Sequence, residues 1–251
     1  MSNHSYTIAT SSAQVGDIVE LTGDEAHHAV TVKRTDVGEV IDLLDGAGMR
    51  LVAKVTATSK DTLSAVVLER YQEQAPVHPV GLIQALAKSD RDLQAVEASV
   101  ELGISRIMPW QADRSIVRWN AAKADKALAK WRSQVRSAQK QSRRSFEPEV
   151  LSLHTTKQLV QFIEQQVQAG DLVLVLHEQA RLPLAQRLTQ VEATGGIWLI
   201  VGPEGGISEA ELEAFISVGA HAVVLGSHVL RASTAGPAAL VLVRHLLGEL
   251  N

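Results

Sequence analysis

The 251-residue sequence contains no cysteine. Disulfide frameworks, zinc ribbons, iron–sulfur clusters and thiolate nucleophiles are therefore excluded, and a reducing cytoplasmic setting is implied. None of the nine histidines stands at metal-ligand spacing from another ligand, and the adjacent His27 and His28 diverge on any helix, so no metal is expected. Long apolar runs are also missing. The most apolar stretches, Leu172–Leu176 and Ile197–Val201, are far shorter than the roughly 20 residues of a membrane-spanning helix. Both read as buried strands, and no membrane partner is expected. Met1 to Gly16 is polar, with neither a basic start nor an apolar core, so no targeting segment is read there. Neither Walker A nor GxGxxG spacing occurs, which leaves phosphate-loop and dinucleotide readings with little support.

Charge is unevenly placed. The net charge is −4, yet Arg114 to Arg144 holds ten basic residues and one acidic residue, Asp125, so the rest of the chain is strongly acidic. Arg132, Arg136 and Lys140 recur at a four-residue spacing that Arg144 continues, while Leu128, Trp131, Val135 and Ala138 form a separate apolar stripe. One face of such a helix packs and the other attracts anions. Self-repulsion on this scale is costly unless a polyanion meets it, which points to RNA or DNA held through its phosphates.

Hydrophobic patterning divides the chain near Tyr71–Pro79, which has two prolines and no periodicity. Residues 1–72 read as a small β-rich domain with strands at Asp17–Leu21, Glu39–Leu44, Leu51–Ala57 and Thr62–Leu68, a hairpin at Gly46-Ala47-Gly48, and one short helix within Asp24–Thr35. In residues 73–251 strands alternate with helices, the pattern of a parallel sheet covered on both faces. Helices are expected over Asp90–Leu102, Ala121–Gln141 and Lys157–Gln168 and from Glu209 and Ser233. Further strands are expected at Gly81–Ala87, Ile104–Pro109 and Ala222–Leu225.

Two loops stand out. Ile197–Val201 runs into Gly202-Pro203-Glu204-Gly205-Gly206 and then a helix whose start carries a capping-box pattern, Ser208 with Glu211. Leu225 to Gly236 also lies between a strand and a helix; it contains His228, Arg231 and two hydroxyls, Ser233 and Thr234, either of which could cap the last helix. Crevices outside the carboxyl ends of parallel strands bind small molecules, and glycine lets backbone come close to them.

Taken together these residues resemble the E-type small-subunit ribosomal RNA methyltransferases, a branch of the knotted SPOUT superfamily. The resemblance rests on His28 with Val32-Lys33-Arg34 and Gly38-Glu39, Asp45-Gly46, Glu101-Leu102-Gly103, Arg114-Ser115, Gln141 and Arg144 with Pro148, Gly202 to Gly206, and Leu225-Gly226 through Val229-Leu230-Arg231. It implies an α/β protein: a PUA-like β-barrel over residues 1–72, then a SPOUT domain over 73–251 with a deep C-terminal trefoil knot. It further implies a homodimer that uses S-adenosylmethionine to methylate N3 of a uridine in 16S ribosomal RNA of the small subunit.

By this resemblance the cofactor is expected at Leu176, His177, Glu178, Gly202, Pro203, Glu204, Gly205, Leu225, Gly226, Ser227, Val229 and Leu230. Arg231 is the candidate for stabilising charge on the uracil. His228 stands where the family commonly has another residue and is the candidate proton acceptor. RNA contacts are expected at Arg34, Arg114, Arg132, Arg136, Lys140, Arg143 and Arg144. The alternatives are a ribose 2′-O-methyltransferase of the same superfamily and a non-catalytic RNA-binding or assembly factor. The absence of cysteine separately excludes C5 methylation through a thiolate adduct.

Overall fold

The computed structural model describes residues 3–9, 12–189 and 195–250. The chain divides into two compact units, Met1–Ala75 with Gln139–Glu147, and Pro76–Ala138 with Pro148–Asn251.

The first unit holds strands β1 (His4–Thr7), β2 (Ile18–Thr22), β3 (Val40–Leu44), β4 (Met49–Thr58) and β5 (Thr62–Gln72), ordered β1-β3-β4-β5-β2. Along β4 the side chains of Met49, Leu51, Ala53 and Val55 point inward at every second position, as a strand with one buried face requires. No ladder joins β1 to β2 among the described residues, so the sheet is a half-barrel rather than a closed one. The gap is taken by helix α1 (Gly23–His27), whose Glu25 Oε2 accepts from the Thr7 amide of β1 at 3.1 Å. The single helix expected over Asp24–Thr35 is instead α1 followed by one π-helical turn, His28–Val32. Ala26 and Ala29 are fully buried, and their small size lets this element seat on the sheet. Strand β1 had no apolar signal because only Tyr6 of His-Ser-Tyr-Thr points inward; its hydroxyl pairs with Thr35 Oγ1 at 2.8 Å.

Residues 139–147 belong to this unit despite their distance in sequence. The Gly48 amide donates to Ser145 O at 3.0 Å, Arg50 Nη2 donates to Arg143 O at 2.8 Å, and Ser145 Oγ donates to Glu73 Oε1 at 2.7 Å.

The second unit is a parallel sheet of β6 (Val80–Ala85), β7 (Arg106–Gln111), β8 (Glu149–Val150), β9 (His154–Thr155), β10 (Leu172–Leu176), β11 (Ile197–Val201) and β12 (His221–Val223). The order is β12-β10-β11-β6-β7-β8, with β9 also paired to β7. Helices α2 (Arg91–Glu101), α3 (Ala121–Ser142), α4 (Thr156–Gln168), α5 (Leu184–Thr189), α6 (Glu209–Ser217) and α7 (Ala232–Leu246) accompany it. Strands buried on both faces are apolar throughout, and β11 is buried at every position. Alternate residues feed separate cores. Leu82, Leu174 and Leu199 pack with Val96 of α2, Trp131 of α3 and Leu240 of α7, whereas Ile83, Trp198 and Ile200 pack with Ile163 of α4 and Phe215 of α6. Truncating a wholly buried Trp such as Trp198 to Ala costs about 3–5 kcal/mol.

The Glu101-Leu102-Gly103 run has a packing role. Arg244 of α7 donates to Leu102 O at 3.1 Å, and Gly103, at φ +97°, leaves room for that guanidinium. Strands β8 and β9 and helix α5 were not expected from the sequence, being too short to show a period.

Candidate functional site

Strand β10 lies between β11 and β12, so the loops that leave the carboxyl ends of these three strands emerge side by side. Residues 177–179 follow β10, 202–206 follow β11 and 225–231 follow β12. They line a cavity of about 570 Å³ and a second of about 120 Å³, which share Leu176, His177, Glu178, Val229, Leu230 and Ala235.

The glycine turn is rigidly built. Gly206 sits at φ +73°, and its amide closes the turn on Pro203 O at 2.9 Å. A Cβ on Gly202 would lie 2.7 Å from Ile207 Cγ1, too close without a shift of the turn, and one on Gly205 would lie 3.1 Å from Arg114 Cβ, a tight contact. Glu204 Oε1 accepts from the Lys88 amide at 3.0 Å and from Arg91 Nη1 at 3.4 Å, and Arg114 Nη1 donates to Gly205 O at 3.1 Å. Ser208 and Glu211 form the capping box read from the sequence, which fixes the start of α6.

The second loop differs from expectation at its end. Neither Ser233 nor Thr234 caps α7. The N-cap is Arg231, whose carbonyl accepts the amides of Thr234 and Ala235 at 2.8 and 3.0 Å, so both hydroxyl residues lie inside the first turn. Arg231 lines the larger cavity and His228 the smaller; both are exposed, and neither side chain makes a hydrogen bond or ion pair among the described residues.

The twelve residues expected around the cofactor all lie on these two cavities. Gly202, Pro203, Glu204 and Gly205 face the larger, Leu225, Gly226 and Ser227 the smaller, and Leu176, His177, Glu178, Val229 and Leu230 both. Sequence reasoning missed Arg91, Gln179 and Glu209, which also line the larger cavity. Arg91 opens the helix after β6 but matches no motif; only its long-range bond to Glu204 marks it.

The residues expected to contact RNA are divided between the two units. Arg114 lines the cavity, and Arg132 and Arg136 lie exposed one turn apart on α3. Arg34, exposed at φ +56°, belongs to the first unit, as do Lys140, Arg143 and Arg144. Lys140, expected in the anion-facing row, is ion-paired. Its Nζ pairs with Glu25 Oε1 at 2.8 Å, with the two side chains only 22% and 27% exposed, because Glu25 of α1 faces it within the first unit. Among the described residues no group of acidic residues and histidines could hold a metal ion, and no helix is long and apolar enough to cross a membrane.

A glycine-turn crevice at the carboxyl edge of a parallel sheet, with a guanidinium at its rim, marks a small-molecule enzyme site in a chain that also carries a separate β-unit. The RNA methyltransferase domain family matches residues 73–244, and the RNA methyltransferase PUA domain family matches residues 21–68. The class is therefore that of PUA-containing RNA methyltransferases.

The Ribosomal RNA small subunit methyltransferase E of Mycobacterium tuberculosis is 42% identical over 227 residues, covering 90% of this chain and 85% of its own. That of Bacillus subtilis is 32% identical over 86% of this chain and 85% of its own. A solved Ribosomal RNA small subunit methyltransferase E from Neisseria gonorrhoeae, bound to S-adenosyl methionine, is 29% identical, with a TM-score of 0.85 and 98% coverage of each chain. The chain belongs to the Ribosomal RNA small subunit methyltransferase E family.

Proposed function

We propose that this protein transfers a methyl group from S-adenosylmethionine to N3 of a uridine in 16S ribosomal RNA. The observation that carries the reading is the convergence of the Gly202–Gly206 turn and the Leu225–Arg231 loop on adjoining cavities that share one wall. The lining suits that cofactor. Leu176, Val201, Leu230 and Ala235 offer apolar surface for an adenosine, and the carboxylates of Glu178 and Glu209 match a molecule carrying an amine and a sulfonium.

When bound, S-adenosylmethionine supplies an electrophilic methyl group. The loops supply orientation, and holding two reactants in line can account for most of the rate. The N3 proton of uridine must leave, and the resulting charge spreads onto the flanking carbonyl oxygens. Arg231, a fixed cation at the rim with its donors unengaged among the described residues, is the residue we assign to that charge. His228 is assigned as proton acceptor. Arg34, Arg114, Arg132, Arg136, Arg143 and Arg144 are assigned to RNA phosphates, which position the substrate without reading its sequence. With no cysteine in the chain, attack at uracil C5 through a thiolate has no nucleophile.

In this reading residues 1–72 dock RNA and residues 73–251 perform the transfer. The chain beyond β11 passes to the far side of β10 as β12 and then packs α7 against β6, β11 and α2, a path that supports a trefoil knot. Exposed Val241 and Leu246 on α7 support a homodimer, and a ribosomal substrate supports a cytoplasmic location. Primer extension on 16S ribosomal RNA tests the reading. Protein plus cofactor should create one strong stop, because N3 lies on the pairing edge of the base; unhindered extension would refute it.

A further inference from the structure

Glu211 is 1% exposed and makes no ion pair among the described residues. Four donors meet its two oxygens. The Asp113 amide and Thr156 Oγ1 reach Oε1 at 2.7 and 2.8 Å, and the Ser208 amide and hydroxyl each reach Oε2 at 3.0 Å. A carboxylate offers about four lone-pair sites and no donor, so this set saturates it, and an amide in its place would turn an N–H against one of the donors. A capping box needs only the Ser208 side of this arrangement. The Asp113 bond instead reaches the segment that follows β7, and its neighbour Arg114 is the cation that lines the cavity and donates to Gly205 O. Ser115, 4% exposed, donates to Leu86 O at 3.2 Å, and Arg118 Nη2 donates to Asp113 O at 2.8 Å. An exposed arginine is thus flanked on both sides by pinned residues, although apolar packing asks nothing of its position.

We propose that Glu211 is a positioning residue for Arg114. Through the Asp113 amide it holds the Arg114 guanidinium over the glycine turn, one donor on Gly205 and the rest turned to the cavity for an RNA phosphate. The proposal rests on the reading of this cavity as an RNA methylation site, but its test reads RNA affinity alone, so a chain that binds RNA without transferring a methyl group still gives a result.

The test measures the affinity of the full chain for 16S ribosomal RNA, without cofactor, across a salt series. Arg114→Ala should lower the slope of log affinity against log salt by about one unit, as for one lost phosphate contact. Glu211→Gln should produce a similar drop when Arg114 is present and no further drop in the Arg114→Ala background. Thr156→Val removes a different donor from the same carboxylate and serves as the packing control; it should leave the slope in place. Equal drops from Glu211→Gln in both backgrounds, a Thr156→Val drop as large as that of Glu211→Gln, or an unchanged slope in Arg114→Ala or Glu211→Gln would each overturn the proposal. Thermal melts of all variants exclude unfolding as the source of any drop.

Discussion

Lys140 Nζ lies 2.8 Å from Glu25 Oε1, an ion pair that ties residues 139–147 to helix α1 within the first unit. The basic residues at a four-residue spacing therefore differ in surroundings. Arg132 and Arg136 stand exposed, whereas Lys140 is partly buried and ion-paired.

The consequence is measurable by salt titration of RNA binding. Arg132→Ala with Arg136→Ala should weaken binding and lower the salt slope by about two units. Lys140→Met should leave the slope nearly unchanged and instead destabilise the first unit by about 1 kcal/mol in urea unfolding, the upper range for a pair of this exposure. A slope loss in Lys140→Met equal to that of either arginine would return it to the anion-facing row.

Gly202→Val places a branched side chain where a single Cβ already comes within 2.7 Å of Ile207 Cγ1. The turn must shift, and the cavity wall with it. Calorimetry should show cofactor affinity reduced by about 100-fold, roughly 2.8 kcal/mol of lost contact, with RNA affinity retained. Equal loss of both would place the turn outside the cofactor site.

Arg231→Ala should lower turnover by about 100- to 1,000-fold, the usual cost of one donor to a developing oxyanion, while cofactor affinity changes little. Single-turnover rates at saturating cofactor distinguish the two. Unchanged turnover would remove Arg231 from the chemistry.

The expected loops were legible because their signals are local. Leu172–Leu176 and Ile197–Val201 are strands over just those residues, since a strand buried on both faces leaves an unbroken apolar run. Ser208 and Glu211 announced a helix start by their spacing alone. What escaped depended on partners remote in sequence. Glu204 meets Arg91 across 113 positions, Glu211 meets Asp113 across 98, and Lys140 meets Glu25 across 115. The misplaced cap of α7 has a different cause. Ser233 and Thr234 are good caps by type, but the Arg231 carbonyl already takes the first amides, which starts the helix at buried Ala232. Strand β1 was invisible because one inward Tyr in four residues makes no period.

Burial pushes the imidazole of His221 below its usual 6.5, and the neighbouring Arg187 guanidinium adds to the shift. Arg187 Nη2 lies 2.7 Å from His221 Nε2, so the neutral ring accepts from the cation. The unfolded chain takes up its proton near 6.5 while the folded chain resists, so the unfolded state binds more protons below that pH. Stability should be fully present above about pH 6.5 and decline as the pH falls. His28, lowered mainly by burial and then by Lys140, acts in the same direction. Urea midpoints from pH 7.5 to 5.5 should fall less steeply in His221→Gln than in the parent; parallel curves would show that His221 does not contribute.

The most direct measurement is mass analysis of nucleosides from 16S ribosomal RNA that lacks the modification, after incubation with the protein and S-adenosylmethionine. A single new 3-methyluridine, formed far more slowly when Arg231→Ala replaces the parent chain, is the expected product. A methyl group on ribose, or none on any nucleoside, would contradict uridine N3 transfer at this site.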